Sequence, residues 1–140
     1  MIRRVNQLWN KIGNKGFWGG IFDSRFFVAN LINKEKFDTL LDLGSGSGII
    51  LHLVNARLKV GIDFNFEPIR DAKKLDPSLE IICGDIRNLP LKDNYFNTVL
   101  SLYSVSGFKT SNERKQVFDE IKRVSSKNKS KIIITANNIL

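Results

Sequence analysis

The sequence predicts an α/β fold: a doubly wound, mainly parallel sheet of about five strands with helices on its flanks. Three observations carry this. Five short apolar runs, at 37–43, 58–62, 79–83, 95–103 and 131–136, are separated by helical periodicity or by polar loops. Strands that alternate with helices form parallel sheets joined by right-handed crossovers. The stretch 40–54, LLDLGSGSGIILHLV, reads as a buried strand, a tight glycine turn and a buried helix. Finally, Asp42–Gly48, Asp63, Asp85 and Ser101–Ser104 fall at the ends of different strands, on the sheet edge where ligands bind in folds of this kind.

A length of 140 residues favours a single domain, and 42% apolar with 26% charged residues places it among globular chains. No apolar run approaches the ~20 residues that span a bilayer, so no membrane association is expected. The opening MIRRVNQLWNK lacks the continuous apolar segment of a secretory signal. Cys83 is the only cysteine, which excludes an internal disulfide and fits a reducing, cytoplasmic setting. The net charge of +8 divides into +5 for residues 1–36, −2 for 37–103 and +5 for 104–140. The basic excess therefore lies outside the middle of the chain, as solvated surface or as an attraction for an anionic substrate or nucleic acid.

Ile2, Val5, Leu8, Trp9 and Ile12 fall at helical spacing, which predicts a short amphipathic helix over 2–12. Residues 16–22, GFWGGIF, read as a glycine-aromatic loop. Asp23 or Ser24 then caps a second helix, with Phe27/Leu31 and Val28/Ile32 as i,i+4 pairs. Residues 1–36 form a helical cap on a main domain of 37–140, because so short a segment makes too small a core by itself. Phe37–Leu43 is the first strand and Ser47–Ala56 the first helix of that domain. Leu58–Ile62 is the second strand and ends at Asp63. Asn65 caps the next helix, whose first turn tolerates Pro68 and which ends near Leu75, before Asp76-Pro77. Leu79–Cys83 is the third strand and Tyr95–Tyr103 the fourth. Thr110 and Glu113 make a capping box for a helix with Val117, Phe118, Ile121 and Val124 on one stripe. Lys131–Ala136 is the fifth strand.

The glycine turn narrows the ligand class. A dinucleotide fingerprint, G-x-G-x-x-G, requires its third glycine five residues after the first. That position is Ile49, and the third glycine is Gly48. The spacing from Asp42 is acidic-x-G-x-G-x-G, which resembles the first motif of the class I S-adenosylmethionine-dependent methyltransferases, with their Rossmann-like fold. CGDIRNLP, residues 83–90, resembles the motif in which an aspartate ends the third strand of that family. Tyr95-Phe96-Asn97, opening the fourth strand, also looks like the family, and the resemblance covers about residues 37–136.

The resemblance implies S-adenosyl-L-methionine as cofactor and these residues at it. Gly44, Ser45, Gly46 and Gly48 wrap the amino-acid moiety, with Asp42 near its amino group. Asp63, beside Phe64, accepts from both ribose hydroxyls, a role that suits any adenosine-containing ligand. Asp85 accepts the adenine amino hydrogen, while the Ile86 N–H donates to the ring and its side chain packs on the ring face. Ser101 and Leu102 border the methionine portion.

Substrate is less legible. SLYS, residues 101–104, lacks the [N/D]-P-P-[Y/F/W] signature of many enzymes that methylate amino groups of DNA, RNA and protein. No paired cysteines suit attack on cytosine C5. A small-molecule acceptor is the leading expectation. An RNA or protein acceptor recruited by the basic termini, or a non-catalytic cofactor-binding scaffold, are the alternatives. No metal centre is expected. Tyr103 is the candidate proton acceptor. His52, the only histidine, sits inside the first helix, and Cys83 reads as a small core residue. Trp9, Phe17, Trp18 and Phe22 read as packing of the N-terminal helices or as a lid, and Arg25 as an orienter of an anionic substrate.

Family members continue beyond the fifth strand with a helix and an antiparallel strand pair. Here the sequence stops at NNIL, four residues after Ala136. Ile132-Ile133-Ile134 points apolar side chains to both faces and so expects cover on both. A truncated chain, or a dimer mate or other partner completing the sheet, is the expectation that follows.

Overall fold

The structure is a computed structural model that describes residues 19–35 and 37–135. The helix expected over 2–12, together with Trp9, Phe17 and Trp18, lies outside the described residues. The elements are α1 (Gly19–Asn33), β1 (Thr39–Leu43), α2 (Ile49–Leu53), β2 (Leu58–Asp63), α3 (Phe66–Leu75), β3 (Glu80–Cys83), β4 (Thr98–Leu102), a 3-10 turn (Val105–Gly107), α4 (Ser111–Val124) and β5 (Lys131–Thr135). The strands form one sheet in the order β3-β2-β1-β4-β5, and every pairing is parallel. The chain leaves β1 in one direction and returns to its other side at β4. The carboxyl ends of β1 and β4 therefore flank the switch point, where a crevice opens in sheets of this topology.

Every residue of β1 and of β4 is buried, as a central parallel strand requires with cover on both faces. Adjacent residues point to opposite sides. Leu40 and Leu100 pack with Val28, Ala29 and Ile32 of α1 and with Ile50, Leu51, Ile69 and Ala72 of α2 and α3. Leu41, Leu43 and Val99 pack with Val117, Ile121 and Val124 of α4. Each such fully buried aliphatic side chain stabilises the fold by roughly 1.5–3 kcal/mol. The two-residue period puts Asp42 on the Leu40 face, toward α1 and α2.

Several boundaries differ from those predicted. α1 begins at Gly19, so Asp23 and Ser24 lie inside it and not at its start. The burial of Val28, Ala29 and Ile32 holds this helix, and packing overrides the low propensity of its glycines. Of its two i,i+4 pairs, Val28/Ile32 enters the core, whereas Phe27 and Leu31 are exposed. α2 is shorter than expected because Gly48, at φ 70°, is left-handed, and Val54 is extended. β4 starts at Thr98; Tyr95 and Phe96 instead bond the end of α4 through Val124 O. Cys83 is exposed and not a core residue, because β3 is an edge strand and Cys83 is its last member. The caps follow the sequence: Asn65 accepts from the Glu67 N–H, and Thr110 and Glu113 form both halves of a capping box.

On β5, Ile133 packs on the α1 side, while Ile132 and Ile134 are 46% and 36% exposed. An apolar face is thus open at this edge among the described residues.

Candidate active site

The sequence from Leu43 to Ile49 has to leave a buried strand and start a buried helix within a few residues. It does so with Gly44, Gly46 and Gly48 at φ 75°, 52° and 70°, conformations that L side chains adopt only with strain. The turn is tied to β2 through Gly44 N and Ser45 N, which both donate to Ile62 O at 2.7 and 3.0 Å. The three glycines differ in what surrounds them. A Cβ on Gly44 would stand 2.4 Å from Ser104 Cβ, and one on Gly48 2.9 Å from Ile81 Cδ1. At Gly46 the nearest atom is Asp63 Oδ2, at 4.0 Å. Gly44 and Gly48 are small because protein packs on them; Gly46 faces open space.

Asp63 closes this turn. Its Oδ2 accepts the Gly46 N–H at 2.8 Å, and its Oδ1 accepts the Asn65 N–H at 2.9 Å. Each oxygen keeps further acceptor capacity. Asp63 pairs with Cys83 in the β2–β3 register, and Gly84 N donates to Asp63 O at 2.9 Å. Asp85, two residues past Cys83, therefore emerges on the same edge as Asp63 and the glycine turn. The sequence-predicted strand ends converge here.

Asp42 is 3% exposed and lines a recess with Arg25, Gly44, Ser45, Ile49, Ile50 and Leu102. Burial raises its pKa to about 7; the Arg25 charge opposes the rise and Asp63 adds to it. Arg25 is itself driven below its ordinary value by burial, with Asp42 and Tyr103 pulling the other way. A carboxyl and a guanidinium thus face one recess beside the glycine turn. Ser45 Oγ, buried against Gly61 of β2, has no hydrogen-bond partner among the described residues. An orphaned hydroxyl, an acidic group and a left-handed glycine open to space fit the polar amino-acid end of a ligand lying against the backbone.

The other expected site residues are placed as follows. Ser101 is 0% exposed. Its hydroxyl pairs with Ser104 Oγ at 2.6 Å, which reaches Leu43 O at 2.8 Å. Ser101 therefore clamps the end of β4 to the glycine turn, and it is Leu102 that lines the recess. Ile86 is 7% exposed and packs with Leu89 and Phe96 beneath the sheet edge, so the ring-packing role expected of its side chain shrinks to an exposed sliver. Phe64, by contrast, is 83% exposed next to Asp63. Tyr103 has φ 65°, a left-handed value that a bulky residue holds only where its surroundings enforce it. Here its N–H donates to Thr135 O at 3.0 Å, and its O accepts from Ser106 Oγ at 2.7 Å. The His52 side chain points to Asp76, with Nδ1 3.6 Å from Oδ2.

Ser104 was named from sequence only as the last residue of the strand end Ser101–Ser104, and Arg87 was not singled out. Ser104 fills the space over Gly44. Arg87 grips Asp85 through its side chain and backbone and holds that carboxyl below its ordinary pKa. The Asp-x-Arg spacing at 85–87 is a local signal for such a pair, since an aspartate side chain commonly accepts the N–H two residues on.

The family model described as a methyltransferase domain matches residues 41–133. The chain belongs to that family. This methyltransferase domain is 29% identical over 111 residues to a demethylmenaquinone methyltransferase of Thermotoga maritima, covering 76% of this chain and 47% of the relative. It is 31% identical over 108 residues to a proposed 23S rRNA (guanine-N(1)-)-methyltransferase of Bacillus subtilis, covering 69% and 37%. Among solved structures it resembles the PH0226 protein of Pyrococcus horikoshii, with a TM-score of 0.67, 28% identity, and coverage of 81% of this chain and 57% of that one. The chain therefore spans less than half the length of these two curated relatives. No helix among the described residues is long and apolar enough to cross a membrane.

Proposed function

We propose that this domain binds S-adenosyl-L-methionine along the carboxyl ends of β1, β2 and β3 and transfers its methyl group to a small-molecule acceptor held over the end of β4. One observation carries the reading: Asp63 bonds the Gly46 N–H while Asp85 leaves the neighbouring strand on the same edge, so the glycine turn and both acidic strand ends border one crevice. In this reading the turn at 44–48 and Asp42 hold the amino-acid end, Asp63 the ribose, and Asp85 with the Ile86 N–H the adenine. Exposed Phe64 lies beside the ribose position. When bound, the cofactor supplies a methyl group on a sulfonium, already activated toward a nucleophile. The protein's part is then to align and to exclude water, which together lower a barrier by several kcal/mol. Leu102, Ile49 and Ile50 give the recess apolar walls, and Arg25 and Asp42 give it paired charges. In this reading Tyr103, which interacts electrostatically with Arg25, is the candidate proton acceptor where the substrate must lose a proton.

The test is calorimetric titration of the chain with S-adenosylhomocysteine and with NAD. Saturable binding of the first and none of the second is expected, with Asp63→Ala weakening binding at least tenfold, since a charge-assisted hydrogen bond contributes about 1.5–3 kcal/mol. Preferential binding of NAD overturns the reading. Labelled methyl incorporation across an acceptor panel then identifies the substrate.

An RNA acceptor is the second reading. The basic charge at residues 1–36 and 104–140 and the Bacillus relative favour it. RNA binding that falls steeply with added salt, together with methyl incorporation into RNA, would select it over the first.

A further inference from the structure

In the proposed reading Asp85 recognises the nucleobase, yet both oxygens of its carboxylate are already bonded by Arg87. Oδ1 accepts the Arg87 N–H at 2.8 Å and Arg87 Nε at 3.1 Å; Oδ2 accepts Nε at 2.9 Å and Nη2 at 2.7 Å. An ionised carboxylate offers about four lone-pair sites, and three Arg87 hydrogens, the one on Nε shared between both oxygens, take up most of them. The remaining terminal nitrogen, Nη1, donates to Glu113 Oε1 at 2.9 Å. The guanidinium also lies 5.4 Å from the centroid of the Phe108 ring. Glu113 is fixed by its capping box at the first turn of α4. Arg87 is therefore strung between a carboxylate at the proposed base position and a second, anchored one.

We infer that Arg87 is a specificity-determining gate on Asp85: a purine reaches that carboxylate only by offering an exocyclic amine that replaces the guanidinium, and Glu113 takes up the displaced charge. This rests on the proposed function above. The Arg87 backbone N–H, on Oδ1, does not need to move, so the carboxylate keeps its direction while the side chain swings. Glu113 and the Phe108 face are already in contact with the guanidinium, so the displaced charge is never left without a partner. The arrangement discriminates chemically. A base with an amine donor repays the lost Arg87 bonds, whereas one carrying hydrogen at that position cannot open the gate and must bind without Asp85.

Calorimetry on the whole chain tests this with two probes, S-adenosylhomocysteine and its analogue with hydrogen in place of the adenine amine. Variants are Arg87→Met, Arg87→Lys and Glu113→Gln, with thermal melts by circular dichroism confirming that each folds; Gln keeps the capping box. Arg87→Met should bind S-adenosylhomocysteine about 3–5-fold more tightly, the scale of a partly exposed ion pair, and the analogue no more tightly than the parent does. Arg87→Lys should fall between, and Glu113→Gln should bind S-adenosylhomocysteine more weakly. If the parent binds S-adenosylhomocysteine and Arg87→Met binds it equally or less tightly, or gains equally for both probes, the gate is overturned and the proposed function stands. If neither parent nor Arg87→Met binds S-adenosylhomocysteine, the proposed function fails and the gate fails with it.

Discussion

Replacing single glycines of the turn separates room for ligand from room for protein. At Gly46 the backbone is left-handed, φ 52°, and an added methyl would meet nothing nearer than Asp63 Oδ2 at 4.0 Å. Gly46→Ala therefore incurs only the left-handed penalty, roughly 1–2 kcal/mol. At Gly44, φ 75°, the added Cβ would stand 2.4 Å from Ser104 Cβ and 3.0 Å from its Oγ. Ser104 cannot simply turn away, since its hydroxyl is bonded to Leu43 O and paired with Ser101. Overpacking of this kind adds about 1–3 kcal/mol, so Gly44→Ala should lose about 2–5 kcal/mol in all. That is a large share of the roughly 5–15 kcal/mol by which domains are stable. Urea denaturation followed by circular dichroism measures the stabilities, and S-adenosylhomocysteine titration measures what each variant still binds. Gly46→Ala should keep most of its stability and lose most of its affinity, because its methyl enters the crevice. Gly107→Ala, where a Cβ would meet nothing within 4 Å, should change stability by less than about 0.5 kcal/mol. A Gly44→Ala protein as stable as Gly46→Ala would refute the packing argument, and a Gly46→Ala protein with undiminished affinity would refute the ligand argument.

Asp42 makes stability depend on pH. Its folded pKa, about 7, lies above the unfolded value of about 3.9, so between these the unfolded chain has released a proton that the folded one keeps. Its contribution to stability is therefore fully present below about pH 4 and declines to a lower plateau above pH 7. In Asp42→Asn that part of the decline should be missing, and superimposable pH profiles for variant and parent would contradict the assignment. Thr110→Ala removes one half of the capping box at α4 and should destabilise the chain by about 1 kcal/mol in urea melts; a midpoint unchanged from the parent's would show that the cap contributes nothing.

Most strands and the acidic residues at their ends were legible in the sequence because each leaves a local mark. A parallel strand buried on both faces is an apolar run, and 40–43 and 58–62 needed little else. Asp63 was legible because it directly follows such a run, and Asp85 because it stands two residues past one. The glycine spacing separated G-x-G-x-G from the dinucleotide pattern at a single position, Ile49. The failures share a different cause. Ser101 ends a strand as a candidate ligand residue does, but whether its hydroxyl faces the crevice or Ser104 depends on the turn that follows. Cys83 ends an apolar run, but only the strand order shows that β3 is an edge. The start of α1 was misplaced because Gly19 and Gly20 carry no helical signal of their own, and the packing of Val28, Ala29 and Ile32 decides the matter.

By itself the sequence determined the parallel α/β architecture, the glycine turn and the two acidic strand ends, because apolar periodicity and positive-φ glycines are properties of consecutive residues. The tertiary structure alone decided that two of the three glycines are filled by Ser104 and Ile81 while Gly46 opens outward. It also decided that Arg25 shares a recess with Asp42, and that Arg87 reaches Glu113 on α4. Those outcomes depend on the distances between strands and helices far apart in the chain, and no local pattern of residues encodes such distances.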